Sequence, residues 1–448
     1  MTYPKIQIRR RERDAVLQSL QAGLVPKQGL HLIQVGRKAE VSAILSDVER
    51  IADGGSAFRI VVGRFGSGKS FFLNLVRNLA FQKKLVVAQA DFSMERRLYA
   101  SGGEARGLYS ELVRNIATKA QPEGGALASL LAAWISKVQQ EVLGAGGSTE
   151  MVEARIGSDL GDLQAYVGGF EFAEVVRAYY RGHINNDETL KANAIRWLRG
   201  EFTTKTEARE ALGVRRIIDD ESFYDSLKLL AAFVRKAGFG GLLVNLDEMV
   251  VLSHRLPSSR ARQANYEALL TILNDSCQGS AGGIGFIFAG TDDCLEDKRR
   301  GLFSYEALHS RLAENPLALQ NGLVDLSGPV IRLSSLTPED LFVLLQNIAF
   351  VHASGDVGKI AVGDEAIMLT LERASETLGA EYFRTPRDIV RSFVGLLNVL
   401  EQNPGVDWRT LLGSDFVRKA ETPLSAEEEM ATGDAAVAED DDLASFKL

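Results

Sequence analysis

The sequence has 448 residues, 46% apolar and 25% charged, the balance of a soluble globular chain long enough for two or three domains. It lacks an apolar run near the roughly 18 residues of a membrane span, and Arg9-Arg-Arg-Glu-Arg13 stands where a leader's apolar core would, so a cytoplasmic protein is expected, with no membrane partner. Only Cys277 and Cys294 occur, and His31, His183, His254, His309 and His352 are scattered, which speaks against disulfide and zinc frameworks; the net charge is −8.

In chain order, Arg9–Gly23 predicts an amphipathic helix with Val16, Leu17 and Leu20 on one face and Gly23 as its cap. Its arginines either touch phosphate or form a solvated helix start. Val35-Gly36-Arg37-Lys-Ala-Glu40 leads into a second helix ending near Ala52. Short apolar runs follow at 58–62, 85–90, 241–246, 285–289 and 330–333, separated by helical patterns. Fully apolar strands alternating with helices predict an α/β fold, a three-layered parallel sheet covered on both faces. About 150 residues between the second and third runs have a helical cast, far more than a crossover needs.

The expected division is therefore N-terminal helices at 1–57, a core at 58–120 and 237–336, and a helical insertion at 121–236. A helical lid follows at 337–420, and an acidic tail at 421–448. Gly144-Ala-Gly-Gly-Ser148 is expected to be a flexible link inside the insertion, and the aromatic residues at 170–180 to be the core face of an inserted helix, with stacking on bases as the alternative. Nine acidic residues and one lysine lie in the tail, so it carries the whole net charge and the remaining body is neutral. Its composition predicts a solvated extension, with a docking peptide at Asp440–Leu448 as the alternative. The acidic balance thus leaves nucleic acid open as a partner of the body.

The first apolar run ends in Gly63, Arg64, Phe65, Gly66, Ser67, Gly68, Lys69 and Ser70, a G-x-x-x-x-G-K-S string between a strand and an apolar helix. Glycines there let successive N–H groups turn toward phosphate oxygens, and the helix N-terminus adds its positive end. Lys69 supplies charge to the β- and γ-phosphates, and the Ser70 hydroxyl is a ligand for Mg²⁺. The third run ends in Asp247-Glu248, where a parallel sheet presents its ligands. Asp247 is expected to hold Mg²⁺ through water and Glu248 to orient and deprotonate the attacking water. Thr291, at the end of the fourth run, is a candidate γ-phosphate sensor. Arg311 and Arg387 are candidates to stabilise charge on the transferring phosphoryl group, in cis or from a neighbouring subunit. ATP and Mg²⁺ are the expected cofactors.

These motifs resemble the AAA+ ATPases, especially their origin-recognition and STAND-like branches. The resemblance implies that Gly36 and Arg37 lie in the box beside the adenine. It likewise implies sensor 1 at Thr291, an arginine finger at Ser310-Arg311 and sensor 2 in Thr385-Pro-Arg387 on the lid. Ala22–Pro26, the Val35-Gly36-Arg37 box, Gly63–Phe72 and Ala90–Leu98 together are similar to the P-loop ATP-binding proteins of BREX-type phage-defence systems, the BrxD-like family. That similarity implies a defence ATPase working on foreign DNA beside a helicase-like partner; with Arg311 acting from an adjacent subunit, a homo-oligomer is expected. About thirty residues separate Arg387 from the tail, too few for the winged-helix domain of origin-recognition proteins. DNA contact is then expected from the insertion, the N-terminal arginines or the partner. An ATP-gated switch with little turnover is the alternative function, and a small-molecule kinase a third that lacks an acceptor signature.

Overall fold

Five short β-branched and aromatic runs pair into one parallel sheet: β1 (Ser56–Val62), β2 (Val86–Asp91), β3 (Leu242–Asp247), β4 (Ile284–Gly290) and β5 (Val330–Arg332). Their order across the sheet is β2-β3-β4-β1-β5. The computed structural model describes residues 7–378 and 386–413; the acidic tail, Arg384 and Thr385 lie outside the described residues. Each strand falls on one of the expected runs, shifted by a residue or two at its ends, and the fold is the three-layered α/β class read from the sequence.

Alternation along the strands explains why both faces are apolar. Phe58, Ile60, Val244, Phe286 and Phe288 face the layer built by the Glu104–Arg114, Phe223–Lys236 and Ser259–Gln278 helices and the insertion. Phe58 and Phe288 meet with ring centroids 5.3 Å apart, within the favourable range for tilted aromatic pairs. Ala57, Val61, Leu243, Ile287 and Ile331 face the Lys38–Ala52 and Lys69–Gln82 helices. Phe72, fully buried on the latter, anchors the helix that carries the phosphate-loop lysine; Phe72→Ala is expected to cost about 3–5 kcal/mol.

The insertion shares the sheet's own core: Trp134, Phe172 and Phe233 pack together, with Trp134 edge-on to Phe233 at 5.5 Å. The Leu127–Gly144 helix is followed by residues 145–148, which lead into the Thr149–Asp159 helix, where Ser148 Oγ accepts the Met151 N–H. Phe172, Tyr179 and Tyr180 are core, as expected, whereas Phe170 is exposed.

A second core stands apart. Val16, Leu17 and Ile33 from the N-terminal segment pack with Leu341, Leu345, Ile348, Phe393 and Leu397 from the Pro338–His352 and Pro386–Gln402 helices. Thr337 and Asp340 cap the first of these reciprocally, and Pro338 occupies its first turn. The N-terminal region therefore divides, its first half joining the lid and its Lys38–Ala52 helix joining the sheet.

Candidate active site at the strand ends

The phosphate loop lies between β1 and the Lys69–Gln82 helix. Gly66 and Gly68 adopt φ of +76° and +83°, which turn the loop back on itself without a Cβ penalty. Gly63 is constrained differently: a Cβ there would fall 2.5 Å from Ser67 Oγ and 2.8 Å from the Leu333 carbonyl. Lys69 is buried, its Nζ donating to the carbonyls of Gly63 at 3.0 Å and Arg64 at 3.3 Å. Arg64 is exposed and Phe65 half-buried at the tip. Ser67 Oγ is buried with no hydrogen-bond partner among the described residues, an unmet polar group inside the cradle.

Ser70 Oγ donates to Asp247 Oδ2 at 2.9 Å, joining the helix start to the end of β3. Burial raises the Asp247 pKa, against the opposing effects of the Glu248 N–H, Ser70 and Lys69. Glu248 has φ +60°, unusual for a residue with a Cβ. Its neighbours impose that conformation: the Glu248 N–H donates to Asp247 Oδ1 at 2.9 Å, and the Met249 N–H donates to the Ala289 carbonyl on β4 at 3.0 Å. The result turns the residue after Asp247 out of the strand direction.

Thr291 follows β4, whose last carbonyl, on Gly290, accepts the Gly63 N–H at 3.3 Å. Its Oγ1 lies 3.3 Å from Cys294 Sγ. The strand that leads into Thr291 is thus bonded directly to the first glycine of the phosphate loop.

Arg37, with φ +57°, reaches across to the loop from the Gly36 box. Its Nη2 donates to the Ser67 carbonyl and, at 3.4 Å, to the Ser334 carbonyl, while its buried Nη1 has no acceptor among the described residues. Burial lowers its pKa, and Glu40 and Asp340 act in the other direction. Asp340, from the lid helix cap, would lie 3.2 Å from a Cβ on Gly36, so the box sits between loop and lid.

The two arginines lie elsewhere. Arg311, exposed on the Glu306–Leu312 helix, donates to Asn274 Oδ1 at 2.8 Å and to the Ala307 carbonyl at 2.9 Å; neither partner belongs to the phosphate loop. Arg387 is exposed on the lid, its Cδ 3.3 Å from where a Cβ on Gly23 would stand. The sequence motifs therefore converge at Gly63–Ser70, Asp247, Glu248, Thr291 and Arg37, and not at Arg311.

The family described as the BREX system ATP-binding protein BrxC/D matches residues 8–415. The chain belongs to that family. No curated protein matches its sequence. Among solved structures, the Cdc6p crystal structure from Pyrobaculum aerophilum is similar at 12% identity and a TM-score of 0.36, over 83% of this chain and 64% of that one.

For this BrxC/D family member, three side chains at the site have no role assigned to them by the sequence motifs. Asp91 ends β2 in register with Asp247 on β3. Although its side chain reaches solvent, desolvation and then the Asp247 charge raise its pKa. Its signals in the sequence are its place at the end of an apolar strand, as for Asp247, and the Ala90–Leu98 string that contains it. Arg332 on β5 bonds Asp292 at 3.1 Å, Glu296 at 2.6 Å and Glu314 at 2.8 Å. In sequence it is only a lone charge in an apolar run. Asn245 is fully buried in β3, its Nδ2 3.5 Å from the Leu73 carbonyl on the phosphate-loop helix. No helix among the described residues is long and apolar enough to cross a membrane.

Proposed function

We propose that this ATP-binding chain is an Mg²⁺-dependent ATPase that works as an assembled motor or loader on foreign DNA with a helicase-like defence partner. The observation that carries the reading is the Ser70–Asp247 bond at the mouth of the phosphate loop, with Glu248 next in the chain. The residues fit the cofactors: the buried Ser67 hydroxyl and Arg37 Nη1 lack partners among the described residues, and Lys69 Nζ rests on loop carbonyls. Loop N–H groups and Lys69 would take the phosphates, and Ser70 and Asp247 would hold Mg²⁺, which offsets phosphate charge when bound. Glu248 is the base that takes a proton from water, Thr291 senses the γ-phosphate, and Gly36 and Arg37 border the base. Arg311 serves a neighbouring subunit, since its bonds in this chain run to Asn274 and Ala307. Arg387 contributes from the lid as the second sensor.

A second reading draws on the separate core shared by lid and N-terminal segment, which meets the Gly36 box through Asp340. Nucleotide would then order the lid for a partner, with little turnover.

Turnover measured across a protein-concentration series, with and without DNA, separates the two. Steep concentration dependence and stimulation by DNA are expected of the motor. Partial rescue on mixing Arg311→Ala with Lys69→Ala protein is the mark of a finger acting between subunits. Flat, negligible turnover with tight ATP binding would replace the motor by the switch.

A further inference from the structure

The helical insertion carries a local charge imbalance. Between Arg196 and Arg216 there are six basic and three acidic residues, in a chain of net charge −8. Two of the acids are engaged: Glu201 accepts from Arg114 at 3.1 Å and Glu207 from Arg196 at 2.8 Å. Lys205, Arg209, Arg215 and Arg216 are exposed, and none of them makes a side-chain hydrogen bond or ion pair with the described residues. Lys205 and Arg209 stand four apart on the Lys205–Leu212 helix, a like-charge spacing that disfavours an isolated helix. Nearby, Arg199 has a buried Nε with no partner among the described residues.

These cations sit on a fixed platform. The Arg196–Glu207 pair pins the Glu188–Leu198 helix to the Lys205–Leu212 helix. The Arg196 guanidinium lies 4.5 Å from the Phe202 ring centroid. Trp197 Nε1 donates to the Arg216 carbonyl at 2.8 Å, holding the second segment against the first. Arg106 Nη1 donates to the Phe202 carbonyl at 3.3 Å, tying the platform to the helix beside the sheet. Trp197, Phe202, Ala208 and Leu212 are buried beneath. The exposed hydroxyls of Thr203 and Thr206 lie along the same segment.

Guanidinium groups without partners among the described residues, carried on a buried scaffold and spread over a helix and its continuation, match a ligand with many spaced anionic groups. Phosphate diesters supply that pattern and also accept from hydroxyls. We propose that this face of the insertion, centred on Arg209, Arg215 and Arg216, binds the phosphate backbone of nucleic acid without reading its sequence. The inference deepens, and rests on, the proposed action on DNA by giving the chain a direct contact of its own.

The test is fluorescence anisotropy of the full-length chain with a labelled random-sequence duplex over a salt series. Affinity should fall linearly with log salt, and Arg209→Gln/Arg215→Gln/Arg216→Gln should weaken binding at least about tenfold. The salt slope should shrink by roughly 0.9 for each phosphate that the variant no longer neutralises. ATP binding by the same variant checks that it is folded. Single-stranded DNA and RNA probes tell which backbone is preferred. Wild-type affinity in the variant would overturn the proposal, as would loss of binding in Arg9→Gln/Arg10→Gln/Arg11→Gln instead. Polyglutamate competing as well as DNA at equal charge would also overturn it, in favour of an acidic protein. A wild-type chain that hydrolyses ATP but binds no duplex or single strand would remove this surface and leave the ATPase reading standing; DNA binding without hydrolysis would do the reverse.

Discussion

Ser70 Oγ and Asp247 Oδ2 lie 2.9 Å apart, so the hydroxyl and carboxylate that face one another across the helix start and the strand end are held together by a direct bond. The arrangement has a stability consequence. Burial raises the Asp247 pKa, so the folded chain holds this proton more readily than the unfolded chain does. The carboxylate therefore lowers native stability at neutral pH, and the deficit shrinks as pH falls through the raised value. Asp247→Asn should raise the melting temperature of the nucleotide-free protein at neutral pH by roughly 1–3 °C, with the gain fading in acid, while Mg²⁺-dependent nucleotide binding is lost. A lower melting temperature at neutral pH would contradict this sign.

Backbone strain at Glu248 predicts an unusual ranking of variants. With φ +60°, glycine fits this position better than alanine does. In chemical denaturation Glu248→Gly should be more stable than Glu248→Ala by about 1 kcal/mol, although both lose the carboxylate. Equal stability, or a more stable alanine variant, would show that the conformation relaxes.

Arg332 is expected to be a positioning residue. It joins Asp292, the residue after Thr291, to Glu314, three residues after Arg311. Hydrogen bonding and charge from Glu314, with Glu296 adding to it, outweigh desolvation and raise its pKa. Arg332→Met should keep ATP affinity within about twofold while turnover falls at least tenfold, and Arg332→Lys should recover part of it, since lysine keeps the charge without the fork. Parallel loss of ATP binding and of folding would reduce the residue to a structural cluster.

Arg37 links the Ser67 and Ser334 carbonyls, and its Nη1 remains buried without an acceptor among the described residues. Arg37→Ala should weaken ATP binding about tenfold or more, a loss that lysine does not restore, because a single ammonium cannot span two carbonyls and a third group. Calorimetric titration of ATP into the variants measures it; unchanged affinity in Arg37→Ala would remove the residue from the nucleotide site.

Much of the fold is legible in the sequence because the strands are buried on both faces. Their apolar runs need no tertiary information, and the phosphate-loop string and Asp247-Glu248 sit where those runs stop. The rest depends on pairing between distant segments. Nothing around Arg332 in sequence announces that Asp292, Glu296 and Glu314 meet there, and the pairing of Asp91 with Asp247 comes only from the strand register. The split of the N-terminal region between two cores is likewise hidden, because both helices show the same amphipathic period.

Hydrolysis at the phosphate loop, as proposed, depends on Glu248 as the base. The most direct measurement is phosphate release from MgATP by the wild-type chain beside Glu248→Gln, with ATP affinity determined on the same preparations. Glu248→Gln is predicted to bind ATP as the wild type does and to release phosphate at least about 100-fold more slowly, as removal of a general base requires. Equal release rates in the two proteins would contradict it.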